Sequence, residues 1–236
     1  MNHPNEALIA DLLAQLAAAA DPERAPKQQA YMKSALPYYG IAMPELRRIT
    51  RGVLRSHNID TAAELEATVL RLWDDITHRE QWYAALTICG DARFRRHRTT
   101  GFLGLYRHLI VSGAWWDVVD DVATHLVGPL LLDEPGAMAK VLRGWADDDD
   151  LWLRRTAIIA QVGSGNGTDA TLLADVIEPN LARPEFFLRK AVGWALRDYS
   201  RIDPEWVHQY VQTQQERLSP LSLREASKHL AGLGYR

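Results

Sequence analysis

The sequence contains a single cysteine, Cys89, in 236 residues. That excludes a disulfide framework and a cysteine-based metal site, and it fits a reducing cytoplasm. Runs alternating Val, Ile and Thr are scarce, so an all-α chain is expected from the Leu- and Ala-rich segments between Gly and Pro. No run of about 18 apolar residues occurs, so neither a membrane span nor a membrane partner is expected. The apolar stretch within Met1 to Ala20 is broken by Asp11 and Gln15 and has no basic start, which predicts an amphipathic helix and not a signal peptide. The eight histidines form no His-x-x-x-His pair, so no metal site is expected. Gly163-Ser-Gly-Asn-Gly167 lacks the Lys-Ser/Thr ending of a P-loop, and no Gly-x-Ser-x-Gly elbow occurs. Cys89 lies in an apolar segment and reads as core. No cofactor is expected.

What is present is helix periodicity, tryptophan and arginine. Leu8, Ile9, Leu12, Leu13 and Leu16 place a helix over residues 5–20. Further helices are expected over 23–36 and 45–56, from the capping box Thr61-Ala-Ala-Glu64 to Trp73, and over 78–90 and 99–111. Another begins at Trp115-Trp116-Asp117 and is expected to close at Gly128-Pro129. Then follow 135–145, 149–162, 168–177, 184–199, 204–218 and 220–233, with Pro184, Pro204 and Pro220 at helix starts. Leu153-Arg154-Arg155, Leu188-Arg189-Lys190 and Leu223-Arg224-Glu225 recur at 35-residue intervals. Helix pairs repeating at such a period predict a curved α-solenoid of degenerate HEAT-like repeats, taken as one domain over 1–236. Its concave surface would suit a long partner, either DNA or another protein.

The net charge of −3 gives no sign of a nucleic-acid partner, but its distribution does. Arg47, Arg48, Arg51 and Arg55 cluster, as do Arg93, Arg95, Arg96, His97 and Arg98, while Asp147 to Asp150 segregate the opposite charge. A globally acidic chain can still present one basic face to phosphates. Each cluster alone is better read as a solvated helix side. The densest chemistry is in Trp115-Trp116-Asp117-Val118-Val119-Asp120-Asp121. On a helix Trp116 and Asp120 share a face, whereas Trp115 points about 100° away and reads as core. Asp117 reads as a helix-start charge. Trp73, Trp82, Trp145, Trp152 and Trp206 read as packing residues.

Several blocks together resemble the AlkD-type DNA alkylation-repair glycosylases. They are Tyr31-Met32-Lys33 with Gly40-Ile41-x-x-Pro44-Glu45-x-Arg47; Trp115-Trp116-Asp117-x-Val119-Asp120; and Trp152-Leu153-x-Arg155-x-Ala157-Ile158. Phe186-Phe187-x-x-Lys190-Ala191-x-Gly193-Trp194-x-Leu196-Arg197-x-Tyr199 and Pro220-Leu221-Ser222-x-Arg224-Glu225-Ala226 complete the set. They run in the family's order from about residue 20 to 230. Ala42, the Gly163 to Gly167 turn and the acidic run Asp147 to Asp150 depart from the pattern.

The resemblance implies a HEAT-like solenoid with a concave, cationic DNA-binding groove. It implies a glycosylase that excises 3-methyladenine and 7-methylguanine from duplex DNA without flipping the base; no motif places a lysine as a Schiff-base nucleophile, so a monofunctional enzyme that leaves an abasic site is expected. The family's catalytic Trp–Asp–Trp set falls on Trp116, Asp120 and Trp194, and its supporting positions on Tyr31, Arg155 and Arg197. Lys33, Arg189 and Lys190 are further candidates for backbone contact. Arg155 and Arg197 fit phosphate contact or an internal ion pair. The partner expected is double-stranded DNA containing alkylated bases, bound by a cytoplasmic monomer, nucleoid-associated if bacterial. The competing reading is a non-catalytic HEAT-like scaffold for DNA structures or proteins.

Overall fold

The structure, a computed structural model, describes residues 3–234, and among them helices and turns are the only regular elements. The helices gather into two compact units, one running to Arg98 and the other starting at Thr99, where the sequence suggested a single repeat domain.

The first unit holds α1 (Glu6–Ala18), α2 (Ala25–Met32), α3 (Met43–Ser56), α4 (Ala62–Asp74) and α5 (Glu80–Cys89), followed by a 3₁₀ turn over Ala92–His97. In α3, Leu46, Ile49, Val53 and Leu54 are buried while Arg47, Arg48, Arg51 and Arg55 are exposed, the 3.6-residue alternation that a packed helix requires. The capping box forms with one shift. Thr61 accepts from the Glu64 amide at 3.1 Å, but the Glu64 carboxylate reaches the amide of Asp60, one residue earlier than expected. No helix in the described residues is long and apolar enough to cross a membrane.

One buried carboxylate organises the Gly40-Ile41 turn. Glu80 accepts from the amides of Tyr39, Gly40 and Ile41 at 3.0, 2.9 and 3.2 Å. Gly40 sits at φ +89°, and a Cβ there would lie 2.1 Å from the Asp21 carbonyl oxygen. The turn that leads into α3 therefore needs glycine for packing alone.

The second unit holds α6 (Leu103–Gly113), α7 (Trp116–Val122), α8 (Gly128–Asp133), α9 (Pro135–Ala146) and α10 (Leu151–Ile159). It continues with α11 (Ala170–Ile177), α12 (Phe186–Tyr199), α13 (Pro204–Thr213) and α14 (Pro220–Leu230). α9 packs on α10, and beyond it alternate helices stack, α10 on α12 and α12 on α14. Leu188, Val192 and Leu196 of α12 are buried in this core, each worth about 1.5–3 kcal/mol. The closest approach is at Gly193, where a Cβ would fall 2.4 Å from Glu225 Cβ and 2.9 Å from the Ser222 carbonyl oxygen.

Several expected boundaries move: α2 stops at Met32 and not 36, and α13 at Thr213 and not 218. Gly128-Pro129 does not end the helix that begins at Trp116. A π-helical turn over Ala123–Val127 intervenes, and α8 follows with Pro129 in its first turn. The π turn widens the ladder here, with the Gly128 amide donating to the Ala123 carbonyl oxygen five residues back, and Pro129 follows without ending the helical run. Pro184 lies two residues ahead of α12, with Glu185 as the N-cap residue, whereas Pro204 and Pro220 begin their helices as expected.

Candidate functional site

The chain reverses direction just before the Trp-Trp-Asp stretch. Ala114 ends α6 at φ +35°, a left-handed conformation that costs a residue with a Cβ roughly 1–2 kcal/mol. Strain of this kind persists where the surroundings impose it, and it concentrates at functional sites. Trp115 is then extended, with Asp117 in the first turn of α7. Val118, Val119 and Val122 are fully buried, which turns Trp116 and Asp120 together to the opposite, half-buried face.

Asp120 is held from α10. Arg155 Nε donates to Asp120 Oδ1 at 2.7 Å and Nη2 to Oδ2 at 2.8 Å, a bidentate fork. Nη1 of the same guanidinium donates to the Phe187 carbonyl oxygen at 2.7 Å, which ties α10 to the first turn of α12. The Arg155 side chain is 6% exposed and that of Asp120 is 18% exposed, so the pair is largely withdrawn from water with the aspartate the more accessible partner. Burial raises the Asp120 pKa, and the Arg155 hydrogen bonds and charge oppose that rise. The backbone is pinned too: Thr124 Oγ1, in the π turn, donates to the Asp120 carbonyl oxygen at 2.7 Å. π turns inside α-helices are frequent at functional sites.

The structure thus joins Trp116, Asp120 and Arg155. It places Arg155 beneath the carboxylate, in the internal ion pair that the sequence offered as one alternative. Trp194 is half-buried on α12, two turns on from Phe187. Trp115 packs away from Asp120 in an aromatic cluster with Trp152 and Phe187, at centroid distances of 6.1 and 5.4 Å. Trp73, Trp145 and Trp152 are buried, and Trp82 stacks on Trp73 at 4.9 Å, in keeping with packing roles.

A second charged centre lies between α12 and α14. Arg197 Nη1 donates to Glu225 Oε2 at 2.6 Å, and Lys190 and Lys228 approach Glu225 Oε1 at 3.0 and 2.7 Å. The Glu225 side chain is only 6% exposed. The Lys228 hydrogen bond, followed by that from Lys190, pulls its pKa down to about 2 against the cost of burial. Arg197 is therefore also ion-paired. Arg189 is half-buried, with its Nε enclosed and no hydrogen-bond partner, while Phe186 is exposed at the start of α12.

In the first unit, Tyr31 is 76% exposed on α2, and Lys33 is exposed at φ +51°, ending that helix. Arg47, Arg51 and Arg55 project from successive turns of α3, with Arg48 paired to Glu45 at 2.6 Å. Together with Pro44 these arginines line a surface depression of about 480 Å³.

Sequence reasoning missed the roles of Glu225, Lys228 and the Phe187 carbonyl. One signal was available: Asp120, Arg155, Lys190 and Glu225 stand 35 residues apart. They occupy one repeat position on α7, α10, α12 and α14, where stacking brings equivalent positions together. Cys89 is fully buried, and burial pushes its thiol up to about 12, which removes it as a nucleophile. Among the described residues no cluster of His, Cys, Asp or Glu could hold a metal ion.

The chain matches the family model for DNA alkylation repair enzymes over residues 12–230. No curated protein matches it. Among solved structures it is similar to one described as a predicted DNA alkylation repair enzyme from Enterococcus faecalis, at 28% identity and a TM-score of 0.81. The match covers 90% of this chain and 97% of that one. With the family model spanning nearly its whole length, the chain belongs to the family of DNA alkylation repair enzymes.

Proposed function

We propose that the protein is a monofunctional DNA glycosylase for cationic N-alkylpurines such as 3-methyladenine and 7-methylguanine, acting on duplex DNA without base flipping. The observation that carries this reading is the Asp120 carboxylate, locked by Arg155 one helical turn from the Trp116 indole yet still partly exposed.

An alkylated purine already bears a positive charge, so it departs as a neutral base without general-acid protonation. The electron pair of the N-glycosidic bond leaves with the base, and positive charge develops at C1′. Asp120 stabilises that charge and accepts a hydrogen bond from the attacking water. Arg155 occupies two of the carboxylate's roughly four acceptor directions, which leaves the outer ones for water and sugar. The water oxygen bonds to C1′ and its proton passes to Asp120 or solvent, giving an abasic site. Trp116 and Trp194 supply electron-rich faces to the cationic base or sugar, worth about 0.5–2 kcal/mol each. The preorganised carboxylate is then the larger contributor, because its position is fixed before charge appears. Exposed Arg47, Arg51 and Arg55 supply a basic surface for the duplex backbone.

The test is release of 7-methylguanine from methylated duplex DNA. Wild-type protein releases free base, and Asp120→Asn loses about 10²–10³-fold in rate, the scale of removing one preorganised electrostatic group. Absence of release by wild type, or full release by the variant, rules the mechanism out. A closed Asp120–Arg155 pair also satisfies both charges with no substrate bound, which favours a second reading as a non-catalytic binder of DNA structures. That reading predicts duplex affinity with no base release.

A further inference from the structure

Lys190, Trp194 and Arg197 follow one another at i, i+4 and i+7 on α12, so the two cations stand one turn to either side of the indole on the same helix face. Both are bonded to Glu225, which also holds Lys228 from its own helix. Three cations around one carboxylate leave a surplus of two positive charges. The carboxylate lies at the bottom of the group, and the Lys190 and Lys228 side chains above it are 39% and 52% exposed. Each ammonium has three donors and uses one on Glu225, so two remain for an outside acceptor. Gly193 makes the arrangement possible, since any side chain there would displace Glu225.

We infer that Glu225 is a positioning residue for phosphate binding: it holds Lys190, Arg197 and Lys228 as a fixed cationic patch that receives the DNA backbone beside Trp194. The inference rests on the duplex-DNA reading given above. Three like charges without the carboxylate would repel one another, and the two lysines would sweep freely, at an entropic ordering cost on each encounter. With the carboxylate in place that ordering is completed during folding. A patch that served only to join α12 to α14 would need no surplus of charge and no exposed ammonium groups.

The test is Glu225→Gln, because the competing accounts predict opposite signs. Removing one negative charge near a polyanion tightens binding if total charge is all that matters. If Glu225 positions the cations, binding weakens. Equilibrium affinity for an undamaged duplex is measured by fluorescence anisotropy from 50 to 200 mM KCl, with circular dichroism confirming the fold. The expected result is a 3–10-fold loss (~, set by the loss of one to two phosphate contacts) and a log–log salt slope shallower by about one. Equal or tighter binding by a folded variant overturns the inference and leaves the DNA reading intact. No affinity of wild-type protein at 50 mM KCl overturns both. Should Glu225→Gln not fold, the double variant Lys190→Ala/Lys228→Ala retains the carboxylate and reads the same patch. Its slope falls by about two if both lysines meet phosphates, and an unchanged slope overturns the inference.

Discussion

Asp120 and Glu225 occupy the same repeat position at the two ends of the α7, α10, α12 and α14 series, and both are carboxylates largely withdrawn from water. Their electrostatics run in opposite directions. Asp120 meets one arginine, and burial outweighs that partner, so its pKa is raised. Glu225 meets three cations, and the hydrogen bonds and charge of Lys228 and Lys190 overcome its burial and hold it at about 2. One partner makes a neutral pair whose carboxylate still responds to its surroundings. Three partners make a cationic group in which the carboxylate is a fixed counter-charge. The repeat supplied both positions, and the balance of burial against neighbouring cations sets the opposite directions of their shifts.

The most damaging way to break the comparison is Arg155→Met, which leaves Asp120 in place without its only fork. Removing one partner of a buried pair costs about 3 kcal/mol, read as a lowered unfolding midpoint at pH 7. The sign for activity follows from the causes of the shift. Arg155 opposes the rise that burial imposes, so its loss lets the Asp120 pKa climb further. On the proposed function, the acid limb of base release then moves to higher pH than in wild type. A profile whose acid limb stays in place while the protein remains folded separates Asp120 from the ionisation that controls the rate.

Much of the fold was legible in sequence because the apolar spacing and the proline starts are local signals. Leu46, Ile49 and Val53 mark the inner face of α3 without reference to any other helix, and Pro204 and Pro220 mark the starts of α13 and α14. Gly128-Pro129 misled for a physical reason. Proline terminates a regular α-helix, but a π turn shifts the register and turns the same residue into the first turn of the next segment. The site was half legible. Trp116 and Asp120 share a face by spacing alone, whereas the partner of Arg155 is set by tertiary stacking. A guanidinium fork suits a phosphate and a carboxylate equally. Glu225 lies within a block that resembles the family, yet nothing local shows that it is buried or that three cations reach it.

A gentler break acts on the second centre alone. Gly193→Ala puts a methyl group 2.4 Å from Glu225 Cβ and 2.9 Å from the Ser222 carbonyl oxygen, and the second of these is backbone that cannot rotate away. Overpacking at such a contact costs about 1–3 kcal/mol. Unfolding in urea should therefore show a lower midpoint. Because Asp120 and Arg155 lie on α7 and α10, the acid limb of base release should keep its midpoint, whereas Arg155→Met moves it. If Gly193→Ala shifts that limb, the two centres are coupled through α12, and the Arg155–Phe187 hydrogen bond is the route to examine.

The smallest effect is also the one that tests the comparison most directly, because it reads the two signs in one experiment. A carboxylate whose pKa is lowered in the folded state contributes stability above its unfolded value and loses it as pH falls. For Glu225 the window runs from 4.5 down to about 2. A carboxylate whose pKa is raised contributes stability below its unfolded value, 3.8 for Asp120, and loses it as pH rises through the folded value. Thermal midpoints of wild type, Glu225→Gln and Asp120→Asn between pH 2 and 7 cancel every carboxylate they share. The advantage of wild type over Glu225→Gln should be full at neutral pH and shrink by a few degrees below pH 4.5. Its advantage over Asp120→Asn should change the other way, growing as the pH falls. If both differences shrink together on acidification, Asp120 is held down like Glu225, and one partner suffices where three were thought necessary.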